Sequence, residues 1–496
     1  MTGATAVAQL RSVRLLGRPE LLDVSLQAGE RAGEARIAAV TPAGSTPATT
    51  DSIDAEGRFL TSGLWDEHVH FGQWAARSGR LDLGELTDAR RALDRVAAAV
   101  ADADARGTTD RIVAMRARGD DWTGRMSRQL LDEAAGSTPV VLITADLHGA
   151  WLNSAALRRH GLPETGDGHL VEDACFALLR ELDSGADAEL DGRVVEAGTA
   201  AARRGVVGVV DFEMRWGVSD WARREASGFR SLRVETAIYP HELERAIALG
   251  LRSGDPIGSA GRITVGPLKV ITDGSLGTAT AWCCDPYPDG GHGRTLWPSA
   301  ELEALLRRAS TAGLELAVHA IGDRANTEVL DAFERTGTAG RIEHAQLLSD
   351  ADLERFARLG ITASVQPAHL LDDRENAGRL WAGRQHRAYR FASLHRAGGR
   401  LVFGSDAPVA PLDPWLAVQA AVLRSRPGET PWSPEERLPV ALALAASMRG
   451  PLRPGPGDPA DLVLLDADPL AAEPEELAGV TVAATLVGGV PTHLAD

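Results

Sequence analysis

Residues 60–66 read Leu-Thr-Ser-Gly-Leu-Trp-Asp, an apolar run that leads into His68-Val69-His70. The run has the texture of a β-strand. Side chains alternate along a strand, so two histidines separated by one residue point the same way. Both imidazoles can then reach one metal ion. Alone, the pair is a weak sign, because such spacings occur by chance on surfaces. Its weight depends on what other strands bring to the same end.

Working outward, seven more apolar runs follow. They are 206–212 (VVGVVDF), 232–238 (LRVETAI), 263–272 (ITVGPLKVIT), 314–319 (LELAVH), 341–346 (RIEHAQ), 361–366 (ITASVQ) and 401–406 (LVFGSD). Amphipathic stretches such as 300–312 and 350–359 separate several of them. Strands that alternate with helices in eight units predict an α/β fold, a parallel TIM (β/α)8 barrel. The barrel is expected over 59–430, with an insertion at about 72–195 that does not fit the repeat. Both ends of the chain carry short strands broken by Gly, Pro and Asp turns. They predict a small β-sandwich built from 1–58 and, after a last barrel helix, from 431–496.

Composition narrows the function. The chain has 496 residues and a formal net charge of -17. Such a surface repels polyanions, so neither nucleic acid nor an anionic membrane is an expected partner. The three cysteines, Cys175, Cys283 and Cys284, form neither a disulfide framework nor a zinc-finger spacing. No apolar stretch is long enough to span a membrane, and the N-terminus lacks a signal-peptide pattern. A cytoplasmic location is the expectation, and the sequence leaves the oligomeric state open.

Of the 52 basic side chains, only one, Lys269, is a lysine. Arginine has replaced lysine wherever positive charge suffices. It cannot replace an amine that must lose its proton or be chemically modified. Lys269 is therefore expected to be present for its nitrogen chemistry.

In a TIM barrel the functional groups gather at the C-terminal ends of the strands. Lys269 lies near the end of the fourth strand, His319 ends the fifth, His344 lies on the sixth and Asp406 ends the eighth. With His68 and His70 they make four imidazoles, an amine and a carboxylate at one end of the barrel. That set suits zinc or a similar divalent ion. A single buried histidine is more often a packing residue than a ligand, so the case rests on the group.

The motifs GLWDEHVHF, LKVITDGSLGTATAW, LAVHAIGDRAN, RIEHAQLL, ITASVQPAHL and GSDAPV, with DLHGAWLNSAAL in the insertion and DPADLVLLDADP near the C-terminus, resemble the amidohydrolase superfamily. The likeness is strongest to amidohydrolase family 3, which includes N-substituted formamide deformylases. It extends over nearly the whole chain. It departs in a compressed PLRPGPGDP segment and in lacking a proline before Gly63.

The resemblance implies a ligand set. His68, His70 and Asp406 would bind one Zn2+ and His319 and His344 a second, with another divalent metal as the alternative. A carboxylated Lys269 would bridge the two ions. Metal-activated hydroxide would attack the carbonyl of a small N-formyl or N-acyl amide, with Asp406 as proton shuttle. Cyclic amides, deamination and carbamates remain open on the same site, and so does a non-catalytic scaffold. His148, Trp151, Asn153, Asp273, Ser275, Asp323 and Gln366 are candidate substrate contacts. Asp273 and Ser275 could instead serve only to shape a turn, Asp323 to hold a loop, and His148 and Asn153 to cap local structure.

Overall fold

The computed structural model describes residues 6–29, 33–78, 80–84, 86–107, 111–117, 122–144, 149–164, 166–171, 173–183 and 187–495. Eight strands form one parallel sheet in chain order. They are β1 (Leu64–Val69), β2 (Val206–Asp211), β3 (Arg233–Ile238), β4 (Ile263–Ile271), β5 (Leu316–Ala320), β6 (Arg341–His344), β7 (Thr362–Val365) and β8 (Arg400–Phe403). The (β/α)8 architecture is thus present. Every residue of β1 and β2 is buried, as befits parallel strands covered on both faces.

The barrel closes where its last strand meets its first. Val69 and Ala407 form a parallel bridge. The backbone N–H of Asp406 donates to the His68 carbonyl at 2.6 Å, and that of His70 donates to the Ala407 carbonyl at 2.9 Å. Asp66 accepts from the backbone N–H groups of Ser405 and His68. A Cβ on Gly404 would stand 2.5 Å from the His68 nitrogen, so only glycine permits this approach.

The first strand differs from the sequence expectation. The run at 60–66 is not one strand; it divides at Gly63. Phe59–Ser62 belongs to the terminal β-domain, where it pairs with Leu462–Leu465 and Gln9–Leu15. The barrel strand begins at Leu64. A Cβ at Gly63 would fall 2.2 Å from the Val207 side chain, so the crossing point accepts no larger residue.

The terminal β-domain is a mixed sheet drawn from both chain ends, from Val490–Leu494 at one edge to Arg36–Pro42 at the other. Leu10, Val13, Val24, Ile37 and Leu60 share a core with Leu462, Leu464 and Leu486. Neither terminal segment could bury those side chains alone.

Residues 75–194 form a separate compact unit. Its five-stranded sheet packs the helices Ala89–Arg106 and Arg128–Ala135 over one apolar cluster, and Ser154–Arg159 and Asp173–Asp183 over another. Among the described residues, no helix is long and apolar enough to cross a membrane.

Candidate metal centre

The strand ends converge as the barrel requires. His68, His344 and Asp406 each offer a ligand atom, and these atoms all lie within 4.8 Å of one another. Asp406 Oδ1 stands 3.5 Å from His68 Nε2 and 3.4 Å from His70 Nε2. Lys269 Nζ is 3.3 Å from His68 Nε2 and 4.3 Å from the centre of the Phe212 ring. The His319 and His344 rings are 4.5 Å apart.

Each imidazole has a distinct support. His68 Nδ1 faces Glu343 Oε2 at 2.6 Å, and His344 Nδ1 faces Gln366 Oε1 at 2.8 Å. Both rings are thereby left with Nε2 for the centre. His319 Nε2 lies 3.3 Å from both Asp273 Oδ1 and the Gly274 carbonyl. His70 Nδ1 is buried without a hydrogen-bond partner. His344 and Asp406 have φ of 74° and 55°, the left-handed region that non-glycine residues rarely adopt. Such conformations persist where surrounding structure over-determines them, often at functional sites.

The electrostatics favour the ligand forms of these groups. Burial, followed by the Lys269 charge, pushes His68 down to about 4. Burial and the neighbouring His319 and His68 hold His344 well below the usual imidazole range. Both are neutral at pH 7 and carry the free electron pair that a cation needs. Burial would raise the Asp406 carboxyl, but His68, His70, His344 and His369 outweigh it and hold it well below the carboxylate range. Burial lowers Lys269 to about 8. The neutral rings of His68 and His344 beside the ionised Asp406 carboxylate fit a divalent cation.

The candidate substrate contacts fall in three places. Asp273 accepts hydrogen bonds from the backbone N–H groups of Ile321, Gly322 and Trp282 and so ties the ends of β4 and β5 together. Asp323 accepts from the Cys284 N–H and from Arg387. Gln366 is engaged with His344. Ser275, half-buried, pairs its hydroxyl with Thr278 at 2.9 Å. Trp151 and Asn153 lie in the inserted unit. The Trp151 ring stacks on His169 at 4.3 Å, and Asn153 caps Ser154–Arg159 while bonding Val140 and Thr138. His148 lies outside the described residues.

Two residues at the site had not been singled out in the sequence. One is Glu343, beside His68. The other is His369, whose buried Nε2 has no hydrogen-bond partner and lies 3.9 Å from Asp406 Oδ2. Position could have signalled both. Glu343 directly precedes a candidate ligand, and His369 follows the end of β7 by a few residues.

Comparison with known proteins agrees with this geometry. The model of the amidohydrolase family matches residues 51–493. The chain is 28% identical to Protein LONG AFTER FAR-RED 3 of Arabidopsis thaliana, over 89% of this chain and 83% of that one. It is 27% identical to N-substituted formamide deformylase of Arthrobacter pascens, over 73% and 75% of the two chains. A crystal structure of an uncharacterized metal-dependent hydrolase from Pyrococcus horikoshii superposes with a TM-score of 0.75 at 25% identity, covering 94% of this chain and 98% of that one.

Proposed function

The chain belongs to the amidohydrolase family and is a metal-dependent hydrolase, and from that premise we propose that it cleaves the amide-type C–N bond of a small N-formyl or N-acyl amide. The observation that carries this reading is the position of Asp406, whose two carboxylate oxygens face different ways. Oδ1 lies against His68 and His70, while Oδ2 faces the buried ring of His369. One carboxylate can thus contact the centre and still exchange a proton.

In this proposal His68, His70 and Asp406 would hold one zinc ion and His319 and His344 a second, with a carboxylated Lys269 as a further ligand. The carbamate forms when the neutral amine adds to carbon dioxide and releases one proton. Burial of Lys269 and its lowered basicity support that step. Bound divalent metal supplies a water of lowered pKa and polarises the substrate carbonyl. Asp406 Oδ2 takes the proton from the attacking water and delivers it to the leaving nitrogen as the C–N bond breaks. Gln366 and Glu343 hold the rings of His344 and His68 while this occurs. Asp273, Ser275 and Asp323 shape the rim from the loops after β4 and β5. The exposed apolar side chains of Met214, Leu296 and Val409, which follow β2, β4 and β8, suit an apolar substituent on the substrate nitrogen.

The test is turnover on a panel of N-formyl and N-acyl amides by zinc-reconstituted protein, beside cyclic amides, aminopyrimidines and carbamates. Release of amine and carboxylate from the open-chain amides supports the proposal. Turnover confined to another class would replace it.

A further inference from the structure

We propose that Glu343 is a positioning residue that sets the tautomer and aim of His68, with Arg341 anchoring the other oxygen of the same carboxylate. The inference rests on the metal-dependent reading above and concerns how the protein prepares one ligand.

The geometry is continuous. Glu343 is fully buried, and its Oε2 lies 2.6 Å from His68 Nδ1. The carboxylate accepts the Nδ1 proton, which leaves the lone pair on Nε2, the atom beside Lys269 Nζ and Asp406 Oδ1. Arg341 Nε donates to Glu343 Oε1 at 2.5 Å, and Arg341 Nη1 donates to Glu67 Oε2 at 2.8 Å. Arg449 then grips Glu67 through Nε at 2.7 Å and also bonds Glu235, with its guanidinium 3.6 Å from the Trp65 ring centre. Glu67, Glu235, Arg341 and Arg449 line a cavity of about 560 Å³ at the N-terminal end of the barrel.

Packing alone gives no reason for this arrangement. Burying charges is costly, and apolar residues of similar volume are often as stable or more so. Here the charges alternate without a break and end on a ligand nitrogen. Metal-ligating histidines usually donate their other N–H to such an acceptor, which fixes ring orientation and raises ligand basicity.

The experiment measures zinc dissociation constants by chelator competition for the full-length wild type and for Glu343→Gln, Glu343→Asp and Arg449→Met, with the melting temperature of each metal-free protein. Glu343→Gln removes the charge, while Glu343→Asp keeps it and withdraws it by one methylene. Either should weaken zinc binding by about 10- to 100-fold. Arg449→Met perturbs the far end of the chain and should leave zinc affinity within about threefold of wild type. Two results would overturn the proposal. One is wild-type affinity in both Glu343 variants. The other is an equal loss in Arg449→Met at a matched melting temperature, which would indicate a general effect of the ion network. A wild type that binds no zinc would instead refute the metal-dependent reading on which the inference stands.

Discussion

Asp406 and His68 are tied twice: the backbone N–H of Asp406 donates to the His68 carbonyl at 2.6 Å, and Asp406 Oδ1 lies 3.5 Å from His68 Nε2. The seam that closes the barrel therefore also joins the two ends of its candidate site. Residues 338 positions apart in sequence are fixed by backbone bonds before any ion is considered. Asp406→Asn should preserve that backbone pairing and the bound metal while lowering kcat by roughly 10²- to 10⁴-fold. Metal analysis beside steady-state rates checks this, and near-normal turnover would remove Asp406 from the proton-transfer role.

Lys269 should govern a dependence on carbon dioxide and pH. The amine must be neutral to form a carbamate, and burial brings it down to about 8. Carboxylation of metal-free protein in bicarbonate should therefore rise as pH increases from 7 to about 9, as followed by carbon-13 NMR. Lys269→Arg should abolish the signal and lower metal content. The sign for stability follows from linkage. The folded pKa lies below the unfolded one, so the unfolded chain binds more protons between about 8 and 10.5. The cost of burying this charge is fully present below that window and is relieved as pH rises through it.

The Glu67–Arg341–Arg449 cluster should stabilise the fold, and its removal should be costly. Glu67→Ala removes the buried carboxylate shared by half-buried Arg341 and the more exposed Arg449 and is expected to destabilise the protein by about 1–3 kcal/mol, measured by urea unfolding. Arg449 and Arg341 overcome the effect of burial and hold Glu67 down to about 2. The stabilisation from Glu67 is then complete above pH 4.5 and is lost as pH falls toward 2. His68 adds to acid sensitivity, because a ring held neutral to about 4 opposes folding once an unfolded histidine is protonated.

His369 should contact substrate. Its unpartnered buried nitrogen faces Asp406 Oδ2 from the side away from His68 and His70. His369→Ala should raise KM or lower kcat by about tenfold or more, since it would remove a hydrogen bond that Nε2 is free to make to bound substrate, with metal content unchanged. A parallel fall in metal content would identify His369 as a ligand.

What the sequence discloses follows from how local each feature is. The strands β2, β4 and β5 are continuous apolar runs and stand out at once. His68, His344 and Asp406 can be found because strand ends have a known address in a barrel. The division at Gly63 cannot be found this way. Phe59–Ser62 and Leu64–Val69 form one apolar stretch, and what separates them is pairing with Leu462–Leu465, some 400 residues away. Glu343 looks like an ordinary strand glutamate until Arg341, Glu67 and His68 are assembled around it. His369 lies beyond β7, where strand alternation no longer indicates direction.

The most direct test of the central claim is the metal content per chain of protein purified without chelator, measured by inductively coupled plasma mass spectrometry before and after reconstitution with zinc and bicarbonate. About two equivalents of zinc are expected after reconstitution, lost together with amide hydrolysis in His344→Ala. No retained metal under either condition would contradict it, because the convergence of His68, His344 and Asp406 would then have no cation to serve.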